Sequence, residues 1–384
     1  MDGACIRGVY IDMAKRVLVI VLDSVGCGGA RDAFAYGDEG ADTLGHLFSG
    51  EPELLLPHLD SLGLARLMGR KIQTEIREFS YGFRLTECSS GKDTTTGHWE
   101  LMGCLTEEPF LTCEAFPDDF LNELVRAGGT HFIGNKAASG TVILEEYGEE
   151  HLRTGKPILY TSADSVLQIA AHEETFGLER LLELCRSARR ILDKRCMRVG
   201  RVIARRFIGN SATDFKRTQN RHDYSLIPVE TVLDRLESRA VKVIGVGKIS
   251  DIFAGKGVSE SHPTKDNREG MEKIEKLWSV PSIANCFILA NLVDFDSLYG
   301  HRRDPSGYAG CLMEFDNWLG VLLGKIGTED LLIITADHGN DPYHRGTDHT
   351  REQVPCLVYS GGNFDPGDMW VFSDVARVVE SYFS

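Results

Sequence analysis

The sequence predicts an α/β protein: a central, mostly parallel sheet flanked by helices, with a smaller α+β domain inserted into it. Three observations carry this. Short, almost wholly apolar runs recur at residues 17–22, 158–160, 241–246, 286–292 and 331–335, the pattern of strands buried on both faces. Between them lie amphipathic stretches such as 178–192, apolar at 178, 181, 182, 184, 185, 188, 191 and 192, and 308–326, long enough for crossover helices. Third, the first run stops at Asp23, the fourth leads to Asp294 and Asp296, and the fifth leads to Asp337 and His338. In open α/β sheets ligands bind beyond the carboxyl ends of the strands, where side chains far apart in sequence converge.

The chain has 384 residues, more than one core normally serves, so about two domains are expected. Composition changes in the middle. After Pro109 and Pro117 the chain becomes acidic, and between Arg186 and Arg206 it carries nine Arg or Lys against one Asp. Residues 106–224 are therefore assigned to an inserted domain, and 1–105 with 225–384 to the core.

With 42% apolar and 26% charged residues the composition is that of a soluble globular protein. A net charge of −15 argues against nucleic acid or an anionic membrane as partner, and an anionic substrate must meet a local basic pocket. The ten cysteines are scattered singly, without the close pairs of a zinc ribbon or a redox dithiol, and read as reduced and structural. The first apolar run is too short for a signal-peptide core or a membrane span, so the expected location is cytoplasmic.

The residues at the strand ends form a hard-ligand set. Asp296 and His301 occur in DFDSLYGHRRD, Asp337 and His338 in TADHGND, His349 in GTDHTRE, and Asp23 follows the first run. Carboxylate oxygen and imidazole nitrogen without thiolate suit Mn²⁺, Mg²⁺ or Zn²⁺, and a set this large exceeds the needs of one ion. Two ions are implied, the usual device for in-line displacement at phosphorus. The competing reading is that these residues are helix caps and turn formers.

The loop SGKDTTTGHWE, residues 90–100, is not a Walker motif, because Asp93 follows Lys92 where Ser or Thr is required. Its threonines either present a hydroxyl nucleophile or bond their own backbone in a turn. Residues 23–29, DSVGCGG, lack the spacing of a dinucleotide fingerprint.

The blocks LDSVGCG, DTLGH, SGKDTTTGHWE, IGNKAASGT, YTSADSVLQIAAHEE, GRVIAR, RTQNRHDYS, GKISDIFAGKG, NLVDFDSLYGHRRD, TADHGNDP and GTDHTREQVP run in order through the chain. In these the sequence resembles the phosphopentomutases, metal-dependent mutases of the alkaline phosphatase superfamily. The resemblance implies an alkaline phosphatase-like core with an inserted cap, and a nucleophile at Thr94 that carries the phosphoryl group. It implies one metal on Asp23, Thr94, Asp337 and His338 and another on Asp296, His301 and His349, and the hard oxygen and nitrogen donors make Mn²⁺ the favoured ion. Sugar-phosphate contacts fall on Ser162, Asp164, Val166, Arg201 and Ile203 of the cap and on Lys248 of the core, and a sugar bisphosphate such as glucose 1,6-bisphosphate would prime the enzyme.

Those positions also make physical sense, since a guanidinium at Arg201 can hold a phosphate through a bidentate fork and Asp164 can accept ribose hydroxyl hydrogens. Arg205 and Arg302 or Arg303 are expected to complete the basic pocket, while the other arginines of 186–206 read as a solvated helix face. Arg206 stands where the family usually has proline. The implied reaction interconverts ribose 1-phosphate and ribose 5-phosphate, and the 2-deoxyribose pair. The partners are then small-molecule pentose phosphates, and a monomer is compatible with the sequence. The alternative is a phosphatase or phosphodiesterase on the same scaffold, in which water resolves the covalent intermediate.

Overall fold

The structure, a computed structural model, describes residues 14–162, 165–218, 221–280 and 284–384. In chain order the strands are β1 (Arg16–Leu22), β2 (Ser80–Leu85), β3 (Ile133–Ala137), β4 (Ile158–Thr161), β5 (Val166–His172), β6 (Arg201–Ile208), β7 (Lys216–Arg217), β8 (His222–Ser225), β9 (Lys242–Val246), β10 (Glu260–His262), β11 (Cys286–Leu292), β12 (Asp330–Thr335) and β13 (Val354–Ser360). They divide between two compact units, one made of residues up to Glu107 with Pro228–Ser384, the other of Glu108–Ile227.

The larger unit is organised by a seven-stranded sheet in the order β10-β9-β11-β1-β12-β13-β2. The pairings from β10 through β12 are parallel and the two at the β13 and β2 edge are antiparallel. Strands β1, β11 and β12 read RVLVIVL, CFILANL and DLLIIT and are buried almost throughout, as central strands covered on both faces must be. Register is fixed at their amino ends, where Arg16 makes a two-pronged ion pair with Asp330 (2.8 and 2.7 Å). With Leu22 opposite Leu292 and Val21 opposite Thr335, the three strands finish side by side.

The helix expected over 308–326 spans Pro305–Leu323. It begins earlier because Asp304 caps it, accepting from the Gly307 amide (2.9 Å), with Pro305 in the first turn. No described helix is long and apolar enough to cross a membrane.

The smaller unit holds a mixed sheet, β3-β4-β5-β6-β7, with β8 also on β6. Helices Asp118–Gly128 and Leu178–Lys194 cover one face, packing Phe120, Leu124, Leu181, Leu184, Cys185, Ala188 and Leu192 on Leu167, Ile169, Val202 and Ala204. Ile143 and Leu144 of helix Gly140–Thr154 pack on Ile158, Ala170 and Phe207 of the other face. Along the second helix Arg186 and Arg190 pair with Glu183 and Arg189 with Asp193, while Lys194 and Arg195, at its end, pair with Glu123 of the first helix.

Candidate metal centre

Parallel strands aligned at their carboxyl ends deliver side chains to one rim of the larger sheet. Asp23 follows β1 directly, Asp296 lies in the π-helical turn Phe295–Gly300 just after β11, and Asp337 and His338 come two and three residues after β12. Lys248, two residues beyond β9, is exposed on that rim. Asp294, the other acidic residue after β11, is structural: its carboxylate accepts from the Asn267 amide (2.8 Å).

Two clusters result. Ligand-type atoms of Asp23, Asp337 and His338 lie within 4.8 Å of one another, and so do those of Asp296, His338 and His349. His338 belongs to both, its Nε2 3.4 Å from a carboxylate oxygen of Asp23 and of Asp337. His301 joins the second cluster through Asp296 (3.1 Å) and through His349, the two Nε2 atoms being 3.2 Å apart.

The tautomers follow from the backbone. Nδ1 of His338 faces the Gly339 carbonyl (3.0 Å), Nδ1 of His349 the Lys92 carbonyl (2.9 Å) and Nδ1 of His301 the Thr347 carbonyl (2.7 Å). A carbonyl oxygen only accepts, so each Nδ1 carries a hydrogen and each Nε2 is left facing the carboxylates, where the ring offers its lone pair to a cation once Nε2 is free of a proton.

Asp23 is held on one side by the Asn291 amide (3.0 Å) and Asp296 by the Asn340 amide (2.7 Å). Ser24, next to Asp23, has a left-handed backbone (φ 74°), and its amide donates to Asp337 (3.1 Å), strain of the kind that collects at functional sites.

Thr94 opens the helix Thr94–Leu101. Asp93 caps it, accepting from the amides of Thr95 (3.0 Å) and Thr96 (3.1 Å), so two of the three threonines serve the first helical turn. The Thr94 hydroxyl instead lies 3.2 Å from Nε2 of His338. Buried Glu100 fixes the preceding loop by accepting from the amides of Cys88 and Ser89. His98, fully buried, donates from Nδ1 to the Thr94 carbonyl (2.8 Å) and stands 3.0 Å from an Asp337 oxygen.

These residues fit divalent cations on internal grounds. Asp23 Oδ1 is buried without a hydrogen-bond partner, a costly state for a carboxylate oxygen. Burial, reinforced by the neighbouring carboxylates of Asp337 and Asp296, pushes the Asp23 carboxyl up to about 8. Burial acts in the same sense on Asp296 but is outweighed by hydrogen bonds to His301 and His349, which hold it well below the carboxylate range. The bond to Asp296 lifts His301 to about 9. The Nε2 atoms of His301 and His349 are 3.2 Å apart and carboxylates surround His338, so the cluster calls for positive charge, which protons supply without cations, and an oxygen and nitrogen donor set is that of a hard or borderline divalent ion.

In the smaller unit, strand alternation puts Val166, Arg201 and Ile203 on one face of the sheet with Tyr160, Gln168 and Arg205. Val166 and Arg201 are direct cross-strand partners and Gln168 lies opposite Ile203. Arg201 is exposed, with the Asp223 carboxylate 3.9 Å away, whereas the Val166 and Ile203 side chains are buried. Ser162 follows β4 and is half-buried. Asp164 lies outside the described residues. Arg205 bonds Gln168 (2.9 Å), and Arg206 sits in β6 beside Glu173 (3.5 Å).

Some contributors escaped the sequence reading. Asn291 and Asn340 hold the Asp23 and Asp296 carboxylates, and Arg351 is a buried hub bonding Asp32, Glu87 and the Gly91 carbonyl. Nothing local in the sequence marks them, since most of their partners are tens to hundreds of residues away. Arg303, expected in a basic pocket, is bound instead to loop carbonyls and Asn340.

A family model for the Metalloenzyme superfamily matches residues 15–377, so the chain belongs to this superfamily of metal-dependent enzymes. Curated relatives narrow the class. A phosphopentomutase from Symbiobacterium thermophilum is 52% identical over 357 residues, covering 92% of this chain and 90% of its own. One from Syntrophotalea carbinolica is 49% identical over 376 residues, covering 96% and 95%. The chain belongs to the phosphopentomutase family.

Proposed function

We propose that the protein interconverts ribose 1-phosphate and ribose 5-phosphate, and the 2-deoxyribose pair, through a phosphorylated Thr94. The observation that carries this is the Thr94 hydroxyl, 3.2 Å from the histidine shared by both ligand clusters and projecting from the first residue of the helix Thr94–Leu101. Asp23, Thr94, Asp337 and His338 would hold one divalent cation and Asp296, His301 and His349 a second, most readily Mn²⁺, which when bound neutralise charge on the phosphoryl oxygens.

In the forward half, the phosphorus–oxygen bond to Thr94 breaks as a new one forms to the free hydroxyl oxygen of the sugar monophosphate. The hydroxyl proton ends on the Thr94 oxygen, and the product is a sugar bisphosphate. In the return half, the bisphosphate gives its other phosphoryl group to Thr94. A bisphosphate such as glucose 1,6-bisphosphate would load Thr94 initially by the same step. His98, donating to the Thr94 carbonyl, fixes the first turn from which the hydroxyl projects. Sugar-phosphate recognition is assigned to Ser162, Asp164, Val166, Arg201 and Ile203 of the smaller unit and Lys248 of the larger. Val166 and Ile203, with buried side chains, would contribute through backbone and shape, and Arg201 through charge.

The test is a coupled assay. Mn²⁺-loaded protein receives ribose 5-phosphate, a trace of glucose 1,6-bisphosphate, purine nucleoside phosphorylase and hypoxanthine, so that ribose 1-phosphate is read as inosine. A parallel sample without the coupling enzyme reports free phosphate. Inosine without phosphate release in the parallel sample is expected. Phosphate release without inosine would replace the mutase by a hydrolase.

A further inference from the structure

Arg303 is the one residue of HRRD with a left-handed backbone (φ 53°), a conformation a bulky side chain adopts only when its surroundings over-determine it. Its guanidinium is spent on four neutral oxygens. Nε donates to the Gly346 carbonyl, Nη1 to the Gly300 carbonyl (2.7 Å) and to the Asn340 side-chain oxygen, and Nη2 to the Asp348 carbonyl (3.1 Å).

Each acceptor is one step from a member of the second ligand cluster. Gly300 immediately precedes His301. Gly346 and Asp348 flank Thr347, whose carbonyl fixes the His301 ring (2.7 Å), and Asp348 precedes His349. Asn340, fully buried, turns its amide nitrogen to Asp296 (2.7 Å) while its oxygen faces Arg303. The guanidinium therefore also decides which way round the Asn340 amide sits, because an oxygen turned to Asp296 would repel it. Gly300 packs against the same amide so closely that a β-carbon would lie 2.8 Å from its nitrogen. None of the four bonds reaches Asp23 or Asp337.

We infer that Arg303 is a positioning residue for Asp296, His301 and His349 together, so that the affinity of one cation site depends on it and that of the other does not. Its role is the fork geometry of the guanidinium, which one ammonium group does not reproduce, and not a positive charge offered to the substrate. The inference rests on the two-cation reading above.

The test titrates chelator-stripped protein with Mn²⁺ and follows free ion by electron paramagnetic resonance. The wild-type chain is expected to bind two ions; failure to do so would overturn the two-cation reading itself. In Arg303→Lys one binding class should weaken about 10- to 100-fold, the usual cost of losing an outer-shell partner, while the other stays within about twofold. Asn340→Ser, which cuts the link to Asp296, should weaken the same class, and the double variant should fall short of the product of the single effects. Two unchanged classes in Arg303→Lys, or equal weakening of both, overturns the inference. If Arg303→Lys does not fold, Asn340→Ser decides: an unchanged pair of classes there overturns it as well.

Discussion

Gly97 packs directly on the main chain of Asp337: a β-carbon at Gly97 would overlap the Asp337 carbonyl oxygen and crowd its side chain. The helix that begins at Thr94 thus touches the segment after β12 with no room between them, which sets the distance from the Thr94 hydroxyl to His338. Gly97→Ala should force the two apart. Overpacking of this kind costs about 1–3 kcal/mol, read as a lowered denaturation midpoint, and the variant should also bind Mn²⁺ more weakly. Unchanged stability and metal affinity would show that the helix shifts freely.

Thr94 itself is tested by its covalent state. Wild-type protein incubated with glucose 1,6-bisphosphate should gain the mass of one phosphoryl group, and peptide mapping should place it on Thr94. Thr94→Ala should gain none and lose mutase activity by about 10³-fold or more, the scale seen when a nucleophile is removed. Thr94→Ser keeps the hydroxyl and should retain measurable activity.

Much of the fold was legible because it rests on local signals. β1, β11 and β12 are strands buried almost throughout and read as nearly continuous apolar runs, and Asp23, Asp296, Asp337 and His338 stand just beyond where such strands end. Edge strand β2, SYGFRL, is half-exposed and carries no such run, so the antiparallel margin was invisible. For the candidate centre, the carboxylates and imidazoles that cluster were readable from chemistry, but the groups that hold them in place were not. Arg303 is the clearest case. Its charge suggested a substrate pocket, yet its partners include carbonyls 43 and 45 residues away, and a backbone oxygen has no residue signature. The glutamate Glu352 is similar: it gathers the amides of Gly28 and Thr43 and the hydroxyls of Thr43 and Thr350, three separate segments that only folding joins.

Metal removal should reveal the proton that replaces it. Without cations, burial and then the Asp337 and Asp296 carboxylates raise Asp23 from 3.8 to about 8. A folded-state value above the unfolded one contributes stability that is full below about pH 4 and lost as pH rises through about 8. Asp23 should therefore make the chelator-stripped protein less stable at pH 8 than at pH 5, by an amount that Asp23→Asn removes. Cation binding at pH 7 must displace that proton. Calorimetric titration in buffers of different ionisation enthalpy should show release of about two protons per chain, one from Asp23 and one from His301, which its bond to Asp296 lifts to about 9, and an enthalpy independent of buffer would contradict it.

The smaller unit carries a pH dependence of opposite sign. Buried His151 donates from Nδ1 to the Lys156 carbonyl (2.7 Å) and accepts at Nε2 from the His172 amide (2.9 Å), tying helix Gly140–Thr154 to the end of β5. A proton on Nε2 would set two N–H groups against each other. Burial, with a smaller contribution from His172, accordingly lowers its pKa, against the opposing pull of the Lys156 carbonyl. A depressed folded-state value contributes stability that is present above the unfolded pKa, about 6.5, and lost as pH falls through the folded value. The denaturation midpoint should decline below about pH 6.5, with a loss on the order of 1 kcal/mol, the worth of one buried hydrogen bond. His151→Gln offers both a donor and an acceptor but does not titrate. It should flatten that decline, and a variant as acid-sensitive as the wild type would assign the effect to other groups.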